Sequence, residues 1–172
     1  MQSTDSERHV ALADSEGNVE LPDAERNAKL SNAERSVELS DAVLKRLRET
    51  FEAVPFAQLL GLELGKLERG AATIHLQLRD ELLRNNGLLH GGVIASLADT
   101  AAAFAVNTML EEGQITVTVD LTLQYLRPLT KGRVTAHAQV LRAGRRIANV
   151  QVNVHDEAGA LAATMLTTYL KT

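Results

Sequence analysis

From Ser40 onward, apolar positions recur first at helical spacing, then in alternation, and each switch of period marks an element. Leu44, Leu47 and Phe51 fall on one face of a helix expected from Ala42 to about Ala53, which Ser40 or Asp41 would cap and Pro55 would stop. Leu62–Leu67 and Ala71–Leu78 read as two strands joined by a turn at Glu68-Arg69-Gly70. A glycine-bearing loop, Asn86-Gly87-Leu88-Leu89-His90, then enters a long apolar helix, expected from about Gly91 to Leu110 with a natural C-cap at Gly113. Four alternating runs follow: Thr116–Leu126, Arg133–Leu141, Arg146–Val154 and Leu161–Leu170. In the first of them, Val117, Val119, Leu121, Leu123 and Tyr125 are expected on one face. The connectors Lys131-Gly132, Ala143-Gly144 and Asp156-Glu157-Ala158-Gly159 are short, which predicts antiparallel neighbours. The whole predicts an α+β domain, a curved antiparallel sheet wrapped around one central helix.

Upstream the pattern is different. Residues 5–40 repeat with a period of nine, so that Glu7, Glu16, Glu25 and Glu34 keep one phase and Leu12, Leu21, Leu30 and Leu39 another. Nine residues turn a helix by about two and a half turns, which would throw successive leucines onto opposite faces. Residues 1–40 are therefore expected to be an extension, flexible or docked as an arm, separate from a domain spanning 41–172.

Composition narrows the class of function. A net charge of -4 with no basic cluster argues against nucleic acid as a partner. With no cysteine, disulfides, thiolate metal sites and a cysteine nucleophile are excluded. The polar start has no apolar signal-peptide core, and no run is long enough to span a bilayer, so a cytoplasmic protein is expected without a membrane partner. His75, His137 and His155 lie on strand-like segments without metal-ligand grouping, and are expected to be structural or surface residues, with no metal site.

The chemistry concentrates where the loop meets the long helix. The helix start at Gly91-Gly92 offers unpaired backbone N–H groups to an anion. Asp99 is one carboxylate among Ala and Leu, an expensive placement unless it has a partner or a task. Together they suggest a site that stabilises an oxyanion and activates water. Asp99 stands about 13.5 Å beyond His90 along an ideal helix and half a turn around it. It cannot readily face its own N-terminus, whereas two such helices side by side in a twofold dimer would bring Asp99 of one chain to Gly91 of the other. The small residues Ala95, Ser96, Ala102 and Ala103 permit that approach.

The order of elements, with Gly87, His90-Gly91-Gly92, Leu97-Ala98-Asp99, Val119-Asp120-Leu121, Tyr125-Leu126-Arg127-Pro128 and the Gly144-Arg145-Arg146 turn, resembles the hotdog-fold acyl-CoA thioesterases of the phenylacetic-acid-degradation (PaaI-type) family, over roughly residues 50–171. The resemblance implies hydrolysis of an acyl-coenzyme A, aromatic or medium-chain, without metal or bound cofactor, in a homodimer that pairs further into a tetramer. It places the catalytic carboxylate at Asp99, the oxyanion donor at Gly91 with Gly92 beside it, and a supporting hydroxyl at Thr118. The family's Asn position holds Arg84 here, so Asn85 is the expected substitute, with Asn86 beside it. His90 is expected to anchor the loop. Arg127, Arg145 and Arg146, at strand ends and turns, are the candidates to meet coenzyme A phosphates. The alternatives are a silent acyl-CoA-binding sensor or scaffold and, less favoured for want of a second acid near His90, a hotdog hydratase or dehydratase.

Overall fold

The computed structural model describes residues 38–172. All but the last three residues of the nine-residue repeat, and the expectation that it forms an extension, lie outside that range. Helix α1 (Asp41–Glu52) is capped by Ser40, whose side chain accepts from the Val43 N–H, and buries Leu47 and Phe51. Pro55 does not simply end it. The proline opens a second, short helix, α2 (Pro55–Leu60), at the first turn, where its missing N–H costs nothing. Strands β1 (Leu62–Glu68) and β2 (Ala71–Gln77) form a hairpin, followed by a 3-10 turn at Asp80–Leu82. Helix α3 runs from Gly91 to Asn107, ending three residues short of the expected Leu110, with Thr108 as C-cap. Strands β3 (Thr116–Tyr125), β4 (Arg133–Ala143), β5 (Ile147–His155) and β6 (Leu161–Lys171) complete the domain.

The six strands form one sheet in the order β1-β2-β4-β5-β6-β3, every neighbour antiparallel. Helix α3 packs against all six, which is the hotdog arrangement. Its inner side carries Ile94, Leu97, Ala98, Ala101, Ala102, Phe104, Ala105 and Val106, all buried against Ile74, Leu76, Val134, Ala136, Val150, Val152 and Met165. Small residues dominate that helix face because a sheet curling around a helix leaves little room between them. Phe104 meets Phe51 of α1 edge to face, with ring centroids 5.2 Å apart, fixing α1 over one end of the core. Phe56 stays exposed on α2.

One expectation fails in a way that shapes the site. The register of β3 on β6 shifts between Thr118 and Asp120, a bulge at Val119. Residues directly opposite share a face, so Thr118 lies with Tyr169, Leu121 with Thr167 and Leu123 with Met165, on the helix side. Val117, opposite Leu170, faces outward. The unbroken alternation of the sequence hides this extra residue. Among the described residues, no helix is long and apolar enough to cross a membrane.

Candidate active site

Asp99 projects from α3 at the edge of its buried face and is half-buried. The helix's own hydroxyls do not satisfy it. Ser96 donates to the Gly92 carbonyl at 2.8 Å and Thr100 to the Ser96 carbonyl at 2.7 Å, so both are spent on the helix backbone. Its partners come from the sheet. Thr118 Oγ1 donates to Asp99 Oδ1 at 3.1 Å, and the Tyr169 hydroxyl lies 2.5 Å from the same oxygen. Thr118 and Tyr169 are the cross-strand pair that the β3 bulge turns inward. Without the extra residue at Val119, the inward face of β3 could not hold both Thr118 and Leu123.

The Tyr169 hydroxyl also lies 2.8 Å from the Asp99 backbone oxygen, so its one proton serves two acceptors of the same residue. Burial, and then the neighbouring Asp99 carboxylate, push the phenol far above its ordinary value, against a smaller opposing effect of the Thr118 hydrogen bond. Tyr169 therefore remains a donor. Sequence reading passes over it: a tyrosine alternating within the last strand carries no signal beyond that of a core residue.

The other half of the site is the start of α3. His90 is the N-cap, and its Nδ1 accepts from the Gly92 N–H at 2.9 Å, which leaves the proton of a neutral ring on Nε2. The Val93 and Ile94 N–H groups both reach the His90 carbonyl. Among the described residues, the Gly91 N–H has no partner. It is the one free donor of the first turn. His90 thus caps its own helix start and engages the Gly92 N–H. Tyr125 covers the spot from β3: its hydroxyl donates to the Gly91 carbonyl at 2.9 Å. A Cβ on residue 91 would stand 3.1 Å from the Tyr125 hydroxyl oxygen, close enough that the ring would have to give by a few tenths of an ångström.

The remaining candidates lie at the surface. Asn85 and Asn86 occupy an exposed turn in which the Gly87 N–H donates to the Arg84 carbonyl at 2.9 Å, and Leu83 bridges Leu89. Neither asparagine side chain hydrogen-bonds another described residue. Arg127, Arg145 and Arg146 are exposed, and none pairs with a carboxylate among the described residues. The structure therefore brings together Asp99 and Thr118, adds Tyr169, and leaves Gly91 on the same straight helix about 12 Å away.

Residues 86–163 match the family model of the thioesterase superfamily. The chain is 33% identical over 146 residues to the medium/long-chain acyl-CoA thioesterase YigI of Salmonella typhimurium, covering 76% of this chain and 94% of that one. Among solved structures, it is similar to a variant of the phenylacetic acid degradation protein PaaI from Thermus thermophilus, with 36% identity and a TM-score of 0.63 over 68% of this chain and 98% of the other. It is also similar to PaaI of Escherichia coli, from the phenylacetic acid degradation operon, with 26% identity and a TM-score of 0.72 over 78% and 96%.

Proposed function

The chain belongs to the thioesterase superfamily, and from that membership we propose that it hydrolyses acyl-coenzyme A to a free acid and coenzyme A in sites each shared by two copies of the chain. The observation that carries this reading is a carboxylate and a free N–H on one helix. Asp99 is held ready by Thr118 and Tyr169, while the unpartnered Gly91 N–H lies about 12 Å along the same helix axis. Neither alone performs acyl transfer, and one straight helix cannot bring them together. A second copy packed antiparallel along α3 does.

The outer stripe of α3 suits that contact. Ser96, Asp99, Thr100, Ala103 and Asn107 are all partly exposed, and four of the five side chains are small or spent on backbone or neighbouring groups. Edge strand β3 adds exposed Leu121 and Tyr125 on the helix side of the sheet, apolar surface that a partner chain would cover. Pairing of dimers into a tetramer is part of the same proposal.

In the shared site, the Gly91 N–H and the N-terminal end of the α3 dipole polarise the thioester carbonyl and hold the developing oxyanion. Asp99 takes a proton from the attacking water, or attacks the carbonyl carbon itself to give an anhydride that water then opens. The leaving thiolate is stable enough to depart without a strong general acid. Arg127, Arg145 and Arg146 are the proposed phosphate contacts, and an aromatic or medium-chain acyl group is the proposed substrate class. The test is thiol release from a panel of aromatic and aliphatic acyl-CoA esters by wild type and Asp99→Asn. Turnover that collapses in the variant is expected; tight binding with no turnover of any ester would instead favour a sensor or scaffold.

A further inference from the structure

We propose that Tyr169 is a positioning residue for this reaction and that, with Thr118, it makes the two oxygens of Asp99 unequal, leaving Oδ2 as the reacting atom. The inference rests on the thioesterase reading and adds to it which oxygen reacts and what holds the other. Both donors fall on Oδ1, Tyr169 at 2.5 Å and Thr118 at 3.1 Å, and no described residue donates to Oδ2. A carboxylate on a half-buried helix face would otherwise exchange its oxygens by rotation of the side chain. Here a charge-assisted O–H···O⁻ contact pins one of them.

The pin is rigid for reasons visible in the fold. Tyr169 is 1% exposed, so its ring cannot swing away, and its buried hydroxyl needs an acceptor. Both of its acceptors belong to Asp99, which ties the side chain to the backbone of its own helix turn. Thr118 is fixed opposite Tyr169 by the ladder of β3 on β6. The lone pairs of Oδ1 are thus engaged from the sheet side, and Oδ2 keeps its lone pairs for the reaction.

The step then balances at one atom. A water proton passes to Oδ2 while the water oxygen bonds to the carbonyl carbon. The carbonyl π pair moves onto the oxygen that faces Gly91 of the partner subunit. Collapse of that intermediate breaks the carbon–sulfur bond, and the departing thiolate recovers the proton from Oδ2. In direct attack, Oδ2 itself bonds to the carbonyl carbon as the carbon–sulfur bond breaks. Water then adds to the acyl carbon, the bond from that carbon to Oδ2 breaks, and the water's two protons go to the free acid and to the thiolate, so that Asp99 returns as a carboxylate. Either way Oδ1 stays in its two hydrogen bonds throughout.

Tyr169→Phe keeps the ring and removes the hydroxyl. Expected is a fall in kcat of about tenfold with KM within about twofold, because ground-state contacts with coenzyme A are untouched. Thr118→Val, which keeps the shape and removes the longer bond, is expected to fall less. Unchanged kcat in both variants, whatever their melting temperatures, would overturn the proposal and leave Tyr169 a packing residue. A second readout needs no substrate. In protein carrying 13Cζ-tyrosine, Asp99→Asn should move the Tyr169 13Cζ resonance at neutral pH, since the phenol then loses its charge-assisted contact with the carboxylate. An unmoved resonance would also overturn the pairing. If wild type hydrolyses no acyl-CoA, the thioesterase reading fails by itself, and the resonance still tests the Tyr169–Asp99 contact.

Discussion

Replacing Gly91 by proline removes a single N–H and little else, which makes it the sharpest probe of the oxyanion site. Residue 91 is the first residue of α3, the position where proline is best tolerated in a helix. His90 before it has φ -64 and ψ 132, the extended conformation that a following proline requires. No internal hydrogen bond is lost, because the Gly91 N–H has no partner among the described residues. The cost lies at the Cβ, which would stand 3.1 Å from the Tyr125 hydroxyl oxygen and 3.2 Å from Cζ, so that ring must move by a few tenths of an ångström. Gly91→Ala carries the same Cβ and keeps the N–H. Alanine also gains up to about 1 kcal/mol in helix propensity, against about 0.5–1.5 kcal/mol for a weakened Tyr125 hydrogen bond, so its stability should change little. The difference between the two variants therefore reads the donor together with the space in front of it, which the proline Cδ fills. Loss of one oxyanion donor removes about 3 kcal/mol of transition-state stabilisation, two to three orders of magnitude in kcat. Thiol release should show the alanine variant near wild type and the proline variant lower by about that factor, with melting temperatures measured for both. A proline variant within about threefold of the alanine one would refute the role of this N–H.

Three further outcomes follow from the same geometry. His75 and His137 lie on the outer face of the sheet with values below the ordinary 6.5: burial is the main cause in both, reinforced at His75 by Arg133 and opposed there by Glu63, and reinforced at His137 by His155. As pH falls, the unfolded chain takes up these protons first, so stability should hold above about pH 7, decline through the mid-6 range and level off below the lowered folded values. The decline should be shallower in His137→Gln; parallel melting curves against pH in the two proteins would contradict this. Arg145→Gln with Arg146→Gln should raise KM several-fold with little change in kcat, and make KM less sensitive to salt, as expected for exposed cations facing phosphates. Equal salt dependence in wild type and variant would remove these arginines from the site. Leu97, fully buried on the inner side of α3, should cost about 2–5 kcal/mol on change to Ala, read by urea denaturation; a loss below about 1 kcal/mol would mean that the core there collapses freely.

Much of the fold is legible in the chain because period and punctuation agree. The switch from helical to alternating spacing locates α3 and the six strands to within about three residues, and short glycine turns make the sheet antiparallel. What escapes are features set by tertiary packing. The bulge at Val119 leaves no mark on a sequence whose alternation runs unbroken across it, yet it reverses the face of Val117 relative to Leu123. Pro55 reads as a stop because a proline that ends one helix and one that begins the next look alike locally. At the site, Asp99 is visible as a carboxylate among apolar residues, and Thr118 through family resemblance. Tyr169 is not, since only the β3–β6 register, 51 residues across the chain from Thr118, sets it opposite that threonine.

The shared site is tested most directly by mixing two inactive chains. Asp99→Asn and Gly91→Pro, each homogeneous, should release almost no thiol from acyl-CoA. Unfolded together and refolded in equal amounts, they should form heterodimers in which one site combines the intact Asp99 of one chain with the intact Gly91 of the other. Half the dimers then carry one working site of two, and about a quarter of wild-type activity should return. A mixture no more active than its components would show that each site lies within a single chain, contradicting a catalytic centre assembled from two copies.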